Sequence, residues 1–173
     1  MNIAGNLITI LDEIPKEVSL VAVSKTKPIE DLEAAYAAGQ RIFGENKIQE
    51  MTTKWEALPK DIQWHMIGTV QINKVKYMAP YVSLIHGVDR AKLLTEINKQ
   101  AAKNERVIDC LLQVHIAQES TKFGLNEEEL NQIAAEKIEL ATTGVARPDS
   151  KSEQDGISKK TYDYYRVRYV YAQ

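Results

Sequence analysis

The sequence alternates short apolar runs with stretches that carry apolar residues at helical spacing, and this alternation limits the possible folds more than any other feature. Runs at residues 19–23, 41–44, 62–67, 82–88 and 107–116 predict strands. The first of these is almost wholly apolar, which predicts a strand buried on both faces. Strands that alternate with helices of this length predict βαβ units and a parallel sheet.

The predicted helices carry recognisable start and stop signals. Pro28 is predicted to open the helix after the first strand, and Gly39 to end it. Asp89 and Asn126 are predicted to cap the N-termini of two later helices. Each signal falls between a predicted strand and a predicted helix, as a βαβ arrangement requires.

Length and composition narrow the class of protein further. The chain has 173 residues, and 22 basic against 24 acidic side chains leave a net charge of −2, which gives no electrostatic reason to expect nucleic acid as a partner. Its single cysteine, Cys110, excludes an internal disulfide and a cysteine-based zinc site. No apolar run approaches the roughly 18 residues of a membrane span. We therefore expect a cytoplasmic, single-domain protein without a membrane or nucleic-acid partner.

The strongest candidate for chemistry is Lys25, at the end of the first apolar run. Ligands of parallel α/β proteins bind at the carboxyl ends of the strands, and the following helix N-terminus favours an anion. A lysine that leaves an apolar strand is expected to be partly desolvated, which makes its neutral amine available to condense with an aldehyde. The competing interpretation is a lysine that extends from the strand end into solvent.

Two further candidates lie near predicted strand ends. Asn46, in the run Phe-Gly-Glu-Asn at residues 43–46, could orient a ligand or simply cap the next helix. His65 could face a barrel interior or be a hydrogen-bonded core histidine. The three histidines, His65, His86 and His115, lack short metal-ligand spacing, so we predict no metal site.

Four sequence blocks, at residues 21–28, 43–46, 64–74 and 119–124, occur in the order seen in a known family. They resemble the pyridoxal phosphate homeostasis proteins (the YggS/PROSC-like family), which are related to the barrel domain of alanine racemase. The resemblance implies a barrel that binds pyridoxal 5′-phosphate (PLP), with Lys25 matching the Schiff-base lysine and Asn46 and His65 near the cofactor. Lys27 and Lys122 are candidates for secondary contacts to the aldehyde or phosphate.

The resemblance ends near residue 140. Family members continue through a Ser-Met-Gly-Met-Ser-like strand end and an Arg-x-Gly-x-x-Ile-Phe-Gly segment that bind the cofactor phosphate, and this sequence contains neither. The expected fold is an α/β, alanine-racemase-like TIM (β/α) barrel that is incomplete, since a closed barrel typically takes about 250 residues. Residues 1–140 are the expected barrel portion. Residues 141–173 are an atypical tail with a loop and an edge strand, in which 143–145 start the sixth barrel strand.

The resemblance implies a PLP-binding protein of vitamin B6 homeostasis that holds the cofactor on Lys25 without catalysing a reaction, so no catalytic residue is predicted. It also implies PLP-dependent apo-enzymes as partners, and we expect a monomer or weak homo-oligomer. One alternative is a PLP-dependent amino-acid racemase-like enzyme, which needs acid–base groups on both faces of its substrate. The other is a flavodoxin-like domain without pyridoxal chemistry.

Overall fold

The computed structural model describes residues 2–114, 124–135, 139–142 and 164–168 of the chain. The strands are β1 Ala22–Val23, β2 Ile42–Glu45, β3 Gln63–Met66, β4 Val82–Val88, β5 Asp109–Gln113, β6 Glu139–Thr142 and β7 Tyr164–Arg168. The helices are α1 Ile3–Glu13, α2 Ile29–Ala37, α3 Ile48–Ala57, α4 Val75–Met78, α5 Ala91–Lys103 and α6 Glu127–Ala135, and a 3₁₀ turn, Ile72–Lys74, leads into α4. None of these helices is long and apolar enough to cross a bilayer.

The seven strands form one sheet in the order β1-β2-β3-β4-β5-β7-β6. The first five strands are parallel and lie in chain order. A flavodoxin-like sheet reverses its strand order after the first strand, so this uninterrupted order excludes that alternative. Strands that add one after another in a single direction are instead those of a (β/α) barrel, which confirms the predicted fold class.

Helices cover one face of the sheet, and the main core lies between them. This covered face carries large apolar side chains of the strands, among them Phe43, Trp64 and Ile85, each at most 1% exposed. Met51 of α3 and Ile97 of α5 belong to the same cluster. Successive side chains of a strand point to opposite faces. The strand residues that alternate with the core residues therefore lie on the opposite face of the sheet.

We call the opposite face the inner face, and the strand register identifies its residues. Five paired residues run across it, one from each parallel strand: Val23, Gly44, His65, Leu84 and Asp109. Val23 is 54% exposed, so the prediction that the first strand is buried on both faces is wrong. In the described part of the chain β1 is an edge strand of an open sheet, and its inner face meets solvent.

The predicted helix boundaries are mostly confirmed. Helix α2 begins directly after Pro28, and Gly39 follows its end with a φ of +105°. Asn126 caps α6: its Oδ1 accepts the Glu129 N–H at 2.8 Å, and the Glu129 carboxylate accepts the Asn126 N–H in return. The predicted cap at Asp89 is wrong. Arg90 occupies the N-cap of α5, and the Asp89 carboxylate binds the Arg90 guanidinium at 2.5 Å.

Beyond β5 the sheet departs from a regular barrel. The tail at 141–173 contains a strand, β7, but it is not the expected edge strand, because it pairs antiparallel with β5 on one side and with β6 on the other. The strand proposed to begin at 143–145 lies outside the described residues, as do Ile116 and Lys122. The division of the chain at residue 140 remains a prediction.

Candidate functional site

The carboxyl ends of the parallel strands bring the candidate residues to one edge of the inner face. The β1–β2 ladder continues past β1, because the Ser24 N–H donates to the Gly44 carbonyl at 3.0 Å. Lys25 lies in the turn that follows, which the Lys27 N–H closes by donating to the Ser24 carbonyl at 3.0 Å. Asn46 directly follows the last residue of β2. Lys25, Asn46 and His65 thus lie at or just after the carboxyl ends of three adjacent strands.

Lys25 is exposed to solvent, which contradicts the predicted desolvation of its amine. The reason is the one that exposes Val23: in the described residues no further strand lies beside β1. Asn46 is half-buried, and its side chain makes no hydrogen bond with the part of the chain that the structure describes. Its amide is therefore available to a ligand.

His65 pairs with a second histidine on the inner face. Its Nδ1 lies 3.0 Å from Nε2 of His86. Both residues are buried, with His65 8% and His86 7% exposed. A neutral imidazole carries one donor and one acceptor nitrogen, so this contact fixes complementary protonation of the two rings. His65 is thus a hydrogen-bonded, buried histidine that also faces the inner side, and its role toward a cofactor remains a prediction.

The loop after β3 packs tightly against the end of β2. A Cβ placed on Gly68 would lie 2.6 Å from the backbone oxygen of Asn46 and 2.8 Å from its Cα. These distances are below any normal contact, and a backbone atom cannot swing away. Glycine at residue 68 therefore allows the main chain to approach Asn46. This close packing fixes the position of the Asn46 backbone, from which its side-chain amide extends.

A buried ionic cluster behind the strand ends was missed by the sequence analysis. Lys54 of α3 is 4% exposed, and its ammonium binds Oε1 of Glu45 at 2.8 Å and Oε1 of Glu50 at 2.7 Å. It also donates to the Ser24 carbonyl at 2.7 Å. Glu45 is fully buried, and its Oε1 accepts the Ser24 hydroxyl at 2.6 Å as well. We call Glu45, Glu50 and Lys54 the Lys54 cluster.

The residue after Lys25 has a strained backbone that the Lys54 cluster holds. Thr26 has a φ of +62°, in the left-handed region that β-branched residues avoid at a cost of about 1–2 kcal/mol. Its N–H donates to Oε1 of Glu50 at 2.6 Å. The hydrogen bond from Lys54 and that from Thr26 lower the pKa of the Glu50 carboxyl despite its partial burial. Glu50 therefore remains an anion, the state in which it accepts both bonds.

One sequence signal could have indicated part of this cluster. Glu50 and Lys54 are four residues apart on a predicted helix, which is the spacing of an intrahelical ion pair. Of the secondary candidates, Lys27 is exposed and lines a surface recess of about 440 Å³ with Thr26, Pro28 and Glu50. Lys122 lies outside the described residues, so its assignment stays a prediction.

Comparison with known proteins decides the family. The family described as "Alanine racemase, N-terminal domain" matches residues 1–147. The Pyridoxal phosphate homeostasis protein of Aquifex aeolicus is 38% identical over 156 residues, which cover 84% of this chain and 68% of the relative. The chain belongs to the alanine racemase N-terminal domain family, in its pyridoxal phosphate homeostasis branch.

Solved structures of this family share the fold described above. PipY of Synechococcus elongatus, determined with PLP bound, is 34% identical and superposes with a TM-score of 0.69. The match covers 78% of this chain and 63% of PipY, so the chain spans less than two thirds of that relative. Alanine racemase from E. faecalis, at 18% identity and a TM-score of 0.61, shares the fold alone.

Proposed function

We propose that this chain binds PLP reversibly through a Schiff base on Lys25 and so buffers or delivers the cofactor in vitamin B6 homeostasis. The observation that carries the proposal is the position of Lys25. It lies in the turn directly after β1, at the carboxyl ends of the parallel strands, where members of a parallel α/β fold bind ligands. The PLP-bound relative and the shared family name support the choice of cofactor.

The residues present fit the aldehyde and the ring of the cofactor. Lys25 supplies a primary amine, and Asn46, directly after the neighbouring β2, supplies an amide that makes no hydrogen bond with a described residue. Among the described residues, a Cβ placed on Gly87 of β4 would meet Gly68 O at 3.5 Å and Gln113 Oε1 at 3.8 Å, both ordinary contacts. The backbone at Gly87 is therefore not tightly packed on that side by the described residues.

PLP supplies an aldehyde that condenses reversibly with amines. The neutral Nζ of Lys25 adds to the aldehyde carbon and the carbonyl oxygen leaves as water, so that one C=N bond replaces one C=O bond. Water reverses the same step and frees the amine. Because Lys25 is exposed, both water and an acceptor protein can reach this bond, which suits release of the cofactor.

A carrier is favoured over a racemase. Racemisation needs an acid–base group on each face of the substrate carbanion. Lys25 supplies an amine at the strand ends, and relatives that this chain matches carry the name pyridoxal phosphate homeostasis protein. We propose PLP-dependent apo-enzymes as recipients, a monomeric or weakly self-associating chain, and a cytoplasmic location, which the buried, unpaired Cys110 supports.

Borohydride trapping tests the proposal directly. We expect the protein to turn yellow with PLP, and borohydride reduction followed by peptide mass mapping to place the label on Lys25. Lys25→Ala should abolish the colour, whereas Lys99→Ala, which removes a 62% exposed lysine of α5, should preserve it. Labelling elsewhere, or colour that survives Lys25→Ala, would overturn the assignment.

Two further readouts separate the carrier from other functions. We expect no exchange of the α-proton of amino acids with solvent when PLP is bound, and exchange would favour the racemase-like alternative. We also expect weaker PLP binding than in a full-length relative, because the two phosphate-binding segments of the family are missing from this sequence. Equal affinity would contradict that expectation.

A further inference from the structure

We infer that Lys54, together with Glu45 and Glu50, positions the main chain of Lys25 for condensation with an aldehyde. The inference rests on the proposed function and adds a set of residues that act without touching the cofactor. It starts from geometry: a buried ammonium of α3 lies directly behind the strand end that carries the exposed amine. Lys54 is thus assigned as a positioning residue.

The Lys54 ammonium has three N–H donors, and all three are used. They go to the Ser24 carbonyl, Glu45 and Glu50, at 2.7, 2.8 and 2.7 Å. One contact is to main chain that immediately precedes Lys25, and the other two are to carboxylates that themselves hold this segment. A side chain whose donors all serve one segment acts as its anchor.

The two carboxylates complete the anchor on either side of Lys25. Glu45 accepts the Ser24 hydroxyl at 2.6 Å, and Glu50 accepts the Thr26 N–H at 2.6 Å. Both neighbours of Lys25 are therefore tied to Lys54, directly or through one carboxylate. The segment between them has little freedom to rotate, although the side chain of Lys25 projects into solvent.

The strained backbone at Thr26 gives the second, independent observation. A β-branched residue at a φ of +62° adopts this conformation only where its surroundings impose it. The turn is closed by the Lys27 N–H, which donates to the Ser24 carbonyl at 3.0 Å, and the Lys54 cluster holds it from outside, since the Thr26 N–H donates to Glu50 and the same Ser24 carbonyl accepts from Lys54. Strain of this kind is expected where a side chain must be held in one direction.

The Lys54 cluster does not face the reacting amine. Ser24 is buried and bonded to the cluster, whereas Lys25 is exposed in the turn that follows and makes no hydrogen bond to the cluster through its side chain in the described residues. We therefore expect substitutions in the cluster to change the direction of the Lys25 amine and to leave contacts to the cofactor phosphate unchanged. This distinction supplies the test, because PLP and phosphate-free pyridoxal share the aldehyde and differ in the phosphate.

The experiment measures the binding of both aldehydes by their yellow absorbance to the wild type, Lys54→Met and Lys54→Arg. We expect Lys54→Met to weaken both ligands by the same factor, about 10-fold or more, since small misplacements of a reacting group have effects of this size. Lys54→Arg should recover part of the loss. Lys99→Met, which removes the exposed partner of Glu96 on α5, is the matched control and should bind as wild type.

Hydrogen exchange at the Thr26 amide reports the anchor without any cofactor. It should be slow in the wild type and in Lys99→Met, and faster in Lys54→Met. Should Lys54→Met fail to fold by circular dichroism, Glu50→Gln replaces it, because the Glu50 side chain is 25% exposed and tolerates the change. Glu50→Gln should likewise speed exchange at Thr26 and weaken both aldehydes.

Unchanged exchange at Thr26, or wild-type affinity of a folded Lys54 or Glu50 variant for both aldehydes, would overturn the inference. A loss confined to PLP would also overturn it, because it would indicate a phosphate contact. Failure of the proposed function would give a different result. Either the wild type would not become yellow with PLP, or the Lys25→Ala variant would still become yellow. The exchange measurement would still decide whether the Lys54 cluster holds the segment.

Discussion

The backbone of Gly68 lies so close to that of Asn46 that a single added carbon would come within 2.6 Å of the Asn46 carbonyl oxygen. This contact joins the loop after β3 to the end of β2. It places the side-chain amide of Asn46, which makes no hydrogen bond with a described residue, beside the proposed cofactor site. The site therefore depends on a residue that carries no functional group.

Gly68→Ala should lower the free energy of unfolding by about 1–3 kcal/mol, because backbone must move to admit the methyl group. Gly87→Ala is the matched control. Its Cβ would meet Gly68 O at an ordinary 3.5 Å, so its effect should be close to zero. Urea unfolding followed by tryptophan fluorescence measures both, and equal effects of the two variants would contradict the prediction.

Glu105→Gly should stabilise the chain. Glu105 follows α5 with a φ of +53°, and the N–H groups of residues 105 and 106 bond back to Ala102 and Ala101 in the manner of a Schellman motif. Glycine adopts this conformation without steric cost, so we expect a gain of roughly 0.5–1 kcal/mol in unfolding free energy. Lys103→Gly, inside the helix, should instead lose about 1 kcal/mol. A loss in both variants would exclude this account.

Cys110 should be inert in the folded protein. The residue is fully buried, and burial with the nearby Asp109 raises the pKa of its thiol, so little thiolate forms at neutral pH. We expect no reaction with a thiol-exchange reagent under native conditions and one equivalent per chain in denaturant. Native labelling at the denatured rate would show that β5 opens readily.

Glu50 should make stability depend on pH in the acidic range. Its pKa is lowered in the folded chain, chiefly by the hydrogen bond from Lys54, so its contribution is present above the unfolded value of 4.5. The contribution disappears as pH falls through the lowered folded pKa. Wild type should therefore exceed Glu50→Gln in unfolding free energy at neutral pH, and the gap should narrow with acid. A gap that is constant with pH would argue against an ionised Glu50.

Much of the fold could be predicted because it depends on local pattern. The strand Val82–Val88 was predicted to the residue, since it is mostly apolar and Asp89 follows its last residue. The position of Lys25, Asn46 and His65 near the carboxyl ends of adjacent strands follows from the parallel pairing of those strands. These features need no knowledge of what packs against them.

Other features depend on distant residues and could not be predicted in the same way. Lys54 falls at a helix position where a lysine is expected to be solvated. Its burial depends on its ion pair with Glu45, which lies nine residues earlier on a strand. The exposure of Val23 and Lys25 depends on whether another strand lies beside β1, which the sequence of β1 does not encode. The cap at Asp89 failed because Arg90 captured its carboxylate.

The antiparallel strand β7 has a consequence for ring closure. In a complete barrel the edge of β5 receives the next parallel strand, but here the main-chain groups of β5 along residues 109–113 pair with residues 164–168. One row of amides and carbonyls cannot serve two neighbours. The antiparallel pair of β6 and β7 and a sixth parallel barrel strand therefore cannot occupy this edge of β5 at the same time, and closure of the barrel at β5 would require the pair to dissociate from it.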